Sequence, residues 1–306
     1  MISASCRSCT GRYARKVPRA ATLVPVLLAL VTCTRHAAPQ SQRESARRVP
    51  DPVVAPAASP APPTTDASVE FPAAWTEARP GLAWRRNVLT DEGHPLEWIV
   101  VRFDLARVVP VAEHAPNDHL NGLFADRAVV FAVDAGFFTE DLRPAGVLTS
   151  RGVPLAAYDS HGGSGLVVIR TGRAEMLDAT TALAAEPRID LAVQCGPRLV
   201  ERDGSVGIRR DDGRRFARTA ICLRDGGHTI DVIAAWWRDE PLRGPGLLPF
   251  AQRLAGPSPV GDARGCEAAL NLDGGPSTGI YVRGEIRATH DAIGPVPFAL
   301  TVRDTR

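Results

Sequence analysis

Apolar residues alternate with polar ones, or form short β-branched runs, along most of the chain after residue 80. This pattern is typical of strands, because successive strand side chains point to opposite faces. The predicted strands are 82–88, 97–103, 107–112, 128–134, 165–170, 189–194, 217–223, 229–235, 267–273, 279–283 and 297–303. Helical spacing is limited to 117–125, 179–185 and 246–255. The pattern predicts an α+β fold, a single β-rich domain with mixed sheets and a few short helices.

The first part of the chain has a different character. Residues 1–32 begin with a basic segment and end in an apolar run, 20–32, that is too short to cross a bilayer comfortably. They predict a secretory signal peptide. The run leads into Cys33 through the sequence LVTC, which resembles a lipobox. Lipidation of Cys33 as the first mature residue and simple cleavage nearby are both open.

A second composition follows the signal. Residues 33–69 are rich in Pro, Ala and Ser and have almost no large apolar side chain, so they predict a disordered linker. Residues 70–306 are then the folded domain. These features predict an exported protein of the cell envelope, which is lipid-anchored to a membrane or else periplasmic or secreted.

The net charge and the cysteines limit the binding partners and the disulfide pairings that are expected. Residues 1–32 carry five basic and no acidic residues, which leaves 31 basic and 34 acidic residues, a net −3, in the mature chain. No basic cluster with interleaved aromatics is present, so nucleic acid is not an expected partner. Cys195, Cys222 and Cys266 fit either one disulfide and a free thiol or three buried thiols.

Four segments interrupt the strand pattern with polar residues and glycine: 131–146, 192–204, 214–226 and 271–279. In the third, Arg218 lies inside the apolar run FARTAICL. Burying an unpaired arginine costs more than a strand gains. We therefore expect Arg218 to face a cleft, where a guanidinium suits a phosphate or carboxylate; a strand with one solvated face is the plain alternative.

The fourth segment has the strongest candidate. Asp273 follows the apolar strand AALNL and precedes Gly274 and Gly275, whose amides are expected to form an anion-binding nest. Ser277 and Thr278 add hydroxyl groups. A tight turn in which Asp273 caps its own backbone is the alternative.

The first segment is similar. Asp134 ends an apolar strand, and Gly136 and two aromatic residues follow it, the second being Phe138. Aromatic side chains after a glycine can form a sugar-stacking wall, or they can belong to the core. Glu140 fits an exposed turn.

Together, the blocks AVDAGFF, RPAGVLTSRGVPL, QCGPRLVERDG, ARTAICL and CEAALNLDGGPST resemble the phosphodiester glycosidase family over roughly residues 82–303. The last block is the most distinctive. The family usually has asparagine where this chain has Asp134. The aspartate of this chain places a negative charge near an expected anion site. It also usually has a third glycine and a serine where this chain has Pro276, Ser277 and Thr278.

The resemblance implies an exported glycoside hydrolase that cleaves the C1–O bond of a sugar-1-phosphodiester, such as an N-acetylglucosamine-1-phosphodiester, to free sugar and phosphomonoester. Arg218 and the Gly274 and Gly275 amides would hold the phosphodiester. Asp273 would assist at the anomeric carbon with Asp134 as its partner. The residues expected to contact substrate are Thr219, Asn271, Gly274, Gly275, Ser277, Thr278, Gly136 and Phe138.

Two other functions stay open. One is a non-catalytic cell-envelope protein that binds a phosphorylated glycan, supported by the charge at Asp134. The other is a metal-dependent phosphodiesterase using Asp134, Asp273 and Glu140. No metal-ligand spacing is present, so no cofactor is expected, although a divalent cation such as Ca²⁺ remains open. The expected partner is a phosphorylated glycan or glycolipid, and the membrane is contacted only through a lipid anchor.

Overall fold

The computed structural model describes residues 75–181, 188–257, 262–283 and 288–304. The predicted signal peptide, the linker and Cys33 lie outside the described residues. The strands are β1 (Thr76–Arg79), β2 (Leu82–Asp91), β3 (His94–Asp104), β4 (Val111–His114), β5 (Val129–Asp134), β6 (Leu148–Ser150), β7 (Val153–Ala156), β8 (Gly165–Arg170), β9 (Arg173–Asp178), β10 (Leu191–Cys195), β11 (Arg198–Val200), β12 (Arg218–Arg224), β13 (Thr229–Trp237), β14 (Ala268–Asn271), β15 (Ile280–Val282), β16 (Ala288–His290) and β17 (Phe298–Arg303). The α-helices are α1 (Leu120–Ala125) and α2 (Leu247–Ala255).

The strands form three sheets. The largest has seven strands in the order β1-β2-β3-β13-β12-β14-β11, and the two others have five each, in the orders β7-β6-β10-β8-β9 and β16-β15-β5-β17-β4. Every pairing between described strands is antiparallel, so the prediction of mixed sheets is wrong. Antiparallel neighbours need only short connections, whereas parallel strands need long crossovers, usually helical.

The middle of the seven-stranded sheet is buried on both faces. Ile221 and Leu223 of β12 belong to the main hydrophobic core, which the strands of the five-stranded sheets also line. Cys222, between them in sequence, packs on the other face with Phe250 and Leu254 of α2. Burial on both faces explains why β12 and β13 are apolar at nearly every position rather than alternating.

The pattern of apolar residues located most of these elements. Each predicted strand overlaps an observed one, although 107–112 overlaps β4 only at its end, and the helices predicted at 117–125 and 246–255 are α1 and α2. The β-rich domain with few helices is confirmed, and it is more strongly β than α+β suggests. Of the predicted helix 179–185, residues 179 and 180 form a turn instead, residue 181 is in neither helix nor strand, and 182–185 lie outside the described residues.

Several strands have no counterpart in the prediction. The unpredicted strands are β1, β6, β7, β9, β11 and β16. Most have only three or four residues, too few to show a period of two. No helix in the described part of the chain is long and apolar enough to span a membrane.

The cysteines resolve the choice that the sequence left open. Cys222 of β12 and Cys266, which precedes β14, form a disulfide. Cys195, at the end of β10, is a buried free thiol.

Candidate active site

The loop between β14 and β15, residues 272–279, carries the chain from the seven-stranded sheet to a five-stranded sheet. At its start, the Leu272 amide donates to the Thr219 carbonyl oxygen at 2.9 Å, which continues the pairing of β14 with β12. At its end, Ile280 pairs with Val133 of β5. The loop therefore brings Asp134, the last residue of β5, beside Asp273 and the start of β12.

Asp134 is almost fully buried, with 1% of its surface exposed. Its Oδ1 accepts hydrogen bonds from the amides of Gly136 at 3.2 Å and Asp273 at 3.1 Å. Burial raises the pKa of Asp134 well above its usual range, and the nearby Asp273 carboxyl raises it further, whereas the Thr219 hydroxyl and the two amides lower it. No hydrogen bond of ordinary geometry joins Thr219 to Asp134 in the described structure.

Asp273 is half-buried in the loop. Its Oδ1 accepts a hydrogen bond from its neighbour Gly274 at 2.8 Å. Burial raises the pKa of Asp273, and the Gly274 amide and the Ser277 hydroxyl oppose this shift. The structure thus brings together two carboxyl groups whose pKa values are raised, which is typical of functional sites.

Four buried oxygens without partners belong to the strand ends and the loop that carry this pair. Within the described residues, Asp134 Oδ2, Thr219 Oγ1, Asn271 Oδ1 and Thr278 Oγ1 are buried and accept or donate no hydrogen bond. The Asn271 amide nitrogen donates to the Gly196 carbonyl at 3.0 Å, which fixes the side chain. An unsatisfied buried polar group costs about 1–3 kcal/mol. Such groups are normally satisfied by ligand or water, so these oxygens make the region a candidate polar binding site.

The two glycines have a structural use. The Gly274 amide donates to Asp273, and the Gly275 amide donates to the Ala217 carbonyl at 2.8 Å. A Cβ on Gly274 would lie 2.8 Å from that carbonyl oxygen, and Gly275 has φ +58°. The glycines therefore let the loop lie against the start of β12. The predicted nest is wrong for this structure, because both amides donate within the protein.

Arg218 also departs from its prediction. Its guanidinium donates to the carbonyl oxygens of Pro245 at 3.1 Å and Arg214 at 3.3 Å. Adjacent residues of a strand point to opposite faces. Since Thr219 faces Asp134, Arg218 points away from the carboxyl pair and holds the chain before β12 instead.

The other residues predicted to contact substrate differ in where they lie relative to the carboxyl pair. Ser277 is buried, and its hydroxyl donates to the Pro295 carbonyl at 3.3 Å. Gly136 has φ +108°, a conformation in which its amide points back at Asp134. Phe138 is half-buried and forms an isolated bridge with Pro144. No contact in the described residues joins Phe138 to the carboxyl pair.

The metal-dependent alternative receives no support from the described residues. They contain no group of three or more His, Cys, Asp or Glu side chains placed to hold a metal ion. Glu140 is exposed in the turn after β5. It does not join Asp134 and Asp273.

Sequence reasoning missed Cys195. A Cβ on Gly136 would lie 3.3 Å from the Cys195 sulfur, so the thiol packs beneath the site. Burial raises the pKa of Cys195, and the nearby Asp134 and Asp273 carboxyl groups add to the effect. Cys195 is therefore a protonated packing residue. Cys195 lies in the block QCGPRLVERDG, but no local pattern predicts that its side chain packs against Gly136.

Replacing Thr219 by Val is expected to lower kcat/KM about tenfold, the usual value of one lost hydrogen bond to substrate, while stability stays equal or rises by up to about 1 kcal/mol. The reason is that the Thr219 hydroxyl is fully buried and unpartnered. Thr301→Val is the matched control, because the Thr301 hydroxyl donates to Glu113 at 2.6 Å. It should lose stability and keep activity. Denaturant unfolding measures the stability of each variant, and steady-state kinetics measure its kcat/KM. A Thr219→Val protein with unchanged kinetics would contradict a hydrogen bond from Thr219 to substrate.

Comparison with known proteins identifies the family of this chain. The profile of the phosphodiester glycosidase family matches residues 127–303, more than half of the chain. The chain belongs to that family. This range contains both carboxyl groups and the whole loop between β14 and β15. No curated protein sequence matches the chain.

Solved structures share the fold of this phosphodiester glycosidase family member. The zebrafish N-acetylglucosamine-1-phosphodiester alpha-N-acetylglucosaminidase catalytic domain, auto-inhibited by its pro-peptide, matches with a TM-score of 0.56 at 17% identity, over 74% of this chain and 85% of that one. A hypothetical protein from Synechocystis matches with a TM-score of 0.54 at 14% identity, over 72% of this chain. This chain spans less than two thirds, 62%, of the Synechocystis protein.

Proposed function

We propose that this protein hydrolyses the C1–O bond of a sugar-1-phosphodiester, with an N-acetylglucosamine-1-phosphodiester as the first candidate substrate. The observation that supports this most is a buried and a half-buried carboxyl group, Asp134 and Asp273, in a region that also has unpartnered hydroxyl and amide oxygens and that the family profile covers. A sugar and a phosphate have many hydrogen-bonding groups, and these could pair with the buried oxygens of this site that have no partner among the described residues.

The proposed reaction is a hydrolysis at the anomeric carbon, C1. The bond between C1 and the phosphate oxygen breaks, and its electron pair stays on the phosphate as the phosphomonoester leaves. Water supplies the oxygen that becomes the C1 hydroxyl, and its remaining proton goes to the medium or the product. A phosphomonoester is a good leaving group, so acid assistance is less demanding than for an ordinary glycoside.

Roles follow from the surroundings of each residue. Asp273 is the more exposed carboxyl group and is proposed to act at the anomeric centre or on the attacking water. Thr219, Thr278 and Asn271 are proposed to orient sugar hydroxyls or phosphate oxygens through their free oxygens.

The setting is also a proposal. We propose export through residues 1–32, a flexible connection through 33–69, and anchoring by a lipid on Cys33, so that the enzyme acts on a phosphorylated glycan or glycolipid of the cell envelope. The Cys222–Cys266 disulfide supports an oxidising compartment. Mass spectrometry of the mature N-terminus tests it: a lipid-modified Cys33 is expected, and an intact Met1 in cells would overturn export.

The activity is tested with the full chain in ¹⁸O-water and a panel of sugar-1-phosphodiesters that begins with N-acetylglucosamine. Free sugar labelled at C1 is the expected product. Label in the phosphate would mean P–O cleavage and would overturn the proposal in favour of a phosphodiesterase. Binding of a phosphorylated glycan without product across the panel would support the non-catalytic alternative.

A further inference from the structure

The two oxygens of the Asp134 carboxyl have different surroundings. Oδ1 accepts two main-chain hydrogen bonds, from Gly136 and Asp273. Oδ2 is buried and has no partner within the described residues. An ionised carboxylate accepts hydrogen bonds at both oxygens, whereas a carboxylic acid has one accepting oxygen and one hydroxyl donor. A buried oxygen without a partner costs more when it is charged than when it is a neutral hydroxyl, so the unpartnered Oδ2 favours the second form.

The charges near Asp134 favour the same form. The Asp273 carboxyl faces it from the loop after β14, the Thr219 hydroxyl faces it from β12, and the Cys195 thiol lies nearby at the end of β10. None of these groups is a cation. The guanidinium of Arg218 lies on the other face of the sheet, bound to main-chain carbonyls. Two buried carboxylates side by side without a cation repel each other strongly.

The proton belongs on Asp134 rather than on Asp273. Asp134 is 1% exposed, whereas Asp273 is half-buried and its Oδ1 accepts a hydrogen bond from the Gly274 amide. Hydrogen bonds to the charged form favour ionisation, and burial opposes it. Asp134 accepts two main-chain hydrogen bonds and Asp273 accepts one, so hydrogen bonding alone does not favour Asp273 as the ionised partner. The much deeper burial of Asp134 therefore decides the charge, which lies on Asp273.

We infer that Asp134 carries a proton on Oδ2 and acts as a neutral hydrogen-bond donor to the ligand, which leaves Asp273 as the single negative charge of the pair. The role toward ligand rests on the proposed function; the protonation does not. A phosphodiester is itself an anion, so a neutral donor attracts one of its oxygens where a second carboxylate would repel it.

The protonation is tested without substrate. Between the unfolded pKa of aspartate, about 3.9, and the raised native value, only the native state holds the proton, so the stability of the wild type falls as pH rises. Asp134→Asn removes this loss, because asparagine is neutral throughout. The difference in Tm between Asp134→Asn and the wild type is therefore expected to grow in favour of the variant from about pH 4.5 to about pH 7.5.

The control for this series is Asp141→Asn, which changes an exposed aspartate of the same segment. Its Tm difference is expected to stay constant with pH. A constant or shrinking difference for Asp134→Asn would overturn the inference, because Asp134 would then be ionised in the native protein. This outcome is independent of whether the proposed activity is found.

The donor role is tested by binding and turnover. Asparagine retains a donor at this position, whereas leucine has a similar size and none. Asp134→Asn is expected to keep most of the affinity for N-acetylglucosamine 1-phosphate and to resist its loss at high pH, where the wild type ionises. Asp134→Leu is expected to lose about tenfold or more. Equal losses in Asn and Leu, in proteins with wild-type circular dichroism, would overturn the donor role.

Discussion

Replacing Asp273 by Asn is expected to lower kcat by about 10³-fold, the range expected when a group that acts on the reacting atoms is lost. Asp273 is the more exposed member of the carboxyl pair, and its neighbours stabilise the ionised form. Asparagine keeps an oxygen that can accept the Gly274 hydrogen bond, so the loop should keep its conformation. The loss is therefore expected in kcat with little change in Tm.

Steady-state kinetics on the best substrate of the panel measure this effect, and thermal unfolding checks the fold. Glu140→Gln is the matched control, because Glu140 is exposed and lies outside the carboxyl pair. It should behave like the wild type. If Asp273→Asn turned over at the wild-type rate, the central assignment of this site would fail. Equal losses in both variants would instead revive a role for Glu140.

Replacing both Cys222 and Cys266 by Ala is expected to lower the free energy of unfolding by about 4 kcal/mol, from the entropy of closing a loop of this length. The two cysteines are 44 residues apart in sequence. Their bond ties the segment before β14 to β12. Both cysteines are buried, so the variant also loses packing.

Urea unfolding with and without reductant measures this loss. Reduced wild type should resemble the double variant, and reductant should have no further effect on the double variant. Cys195 is a free thiol in both proteins, so an effect of reductant that arises from Cys195 would appear equally in the wild type and in the double variant. A difference smaller than about 1 kcal/mol would contradict the loop-entropy argument.

Much of the site was predictable from local pattern. Asp134 and Asp273 each end an apolar strand ahead of glycine, and Thr219 lies inside one, positions where polar side chains are costly without a use. The sequence also located the strands β5, β12, β14 and β15, because alternation and apolar runs are properties of neighbouring residues. The structure then brought these residues together.

Other features depended on contacts between distant parts of the chain. The period of β12 places Arg218 and Thr219 on opposite faces, but only the approach of β5 through the β14–β15 loop decides which of them meets Asp134. The Gly275 amide donates to the Ala217 carbonyl oxygen in another segment, and Cys222 forms its disulfide with Cys266 rather than with Cys195. No local period encodes such pairings, because they arise when separate strands pack against each other. The protonation of Asp134 belongs to this class, since burial and a second carboxyl group produce it.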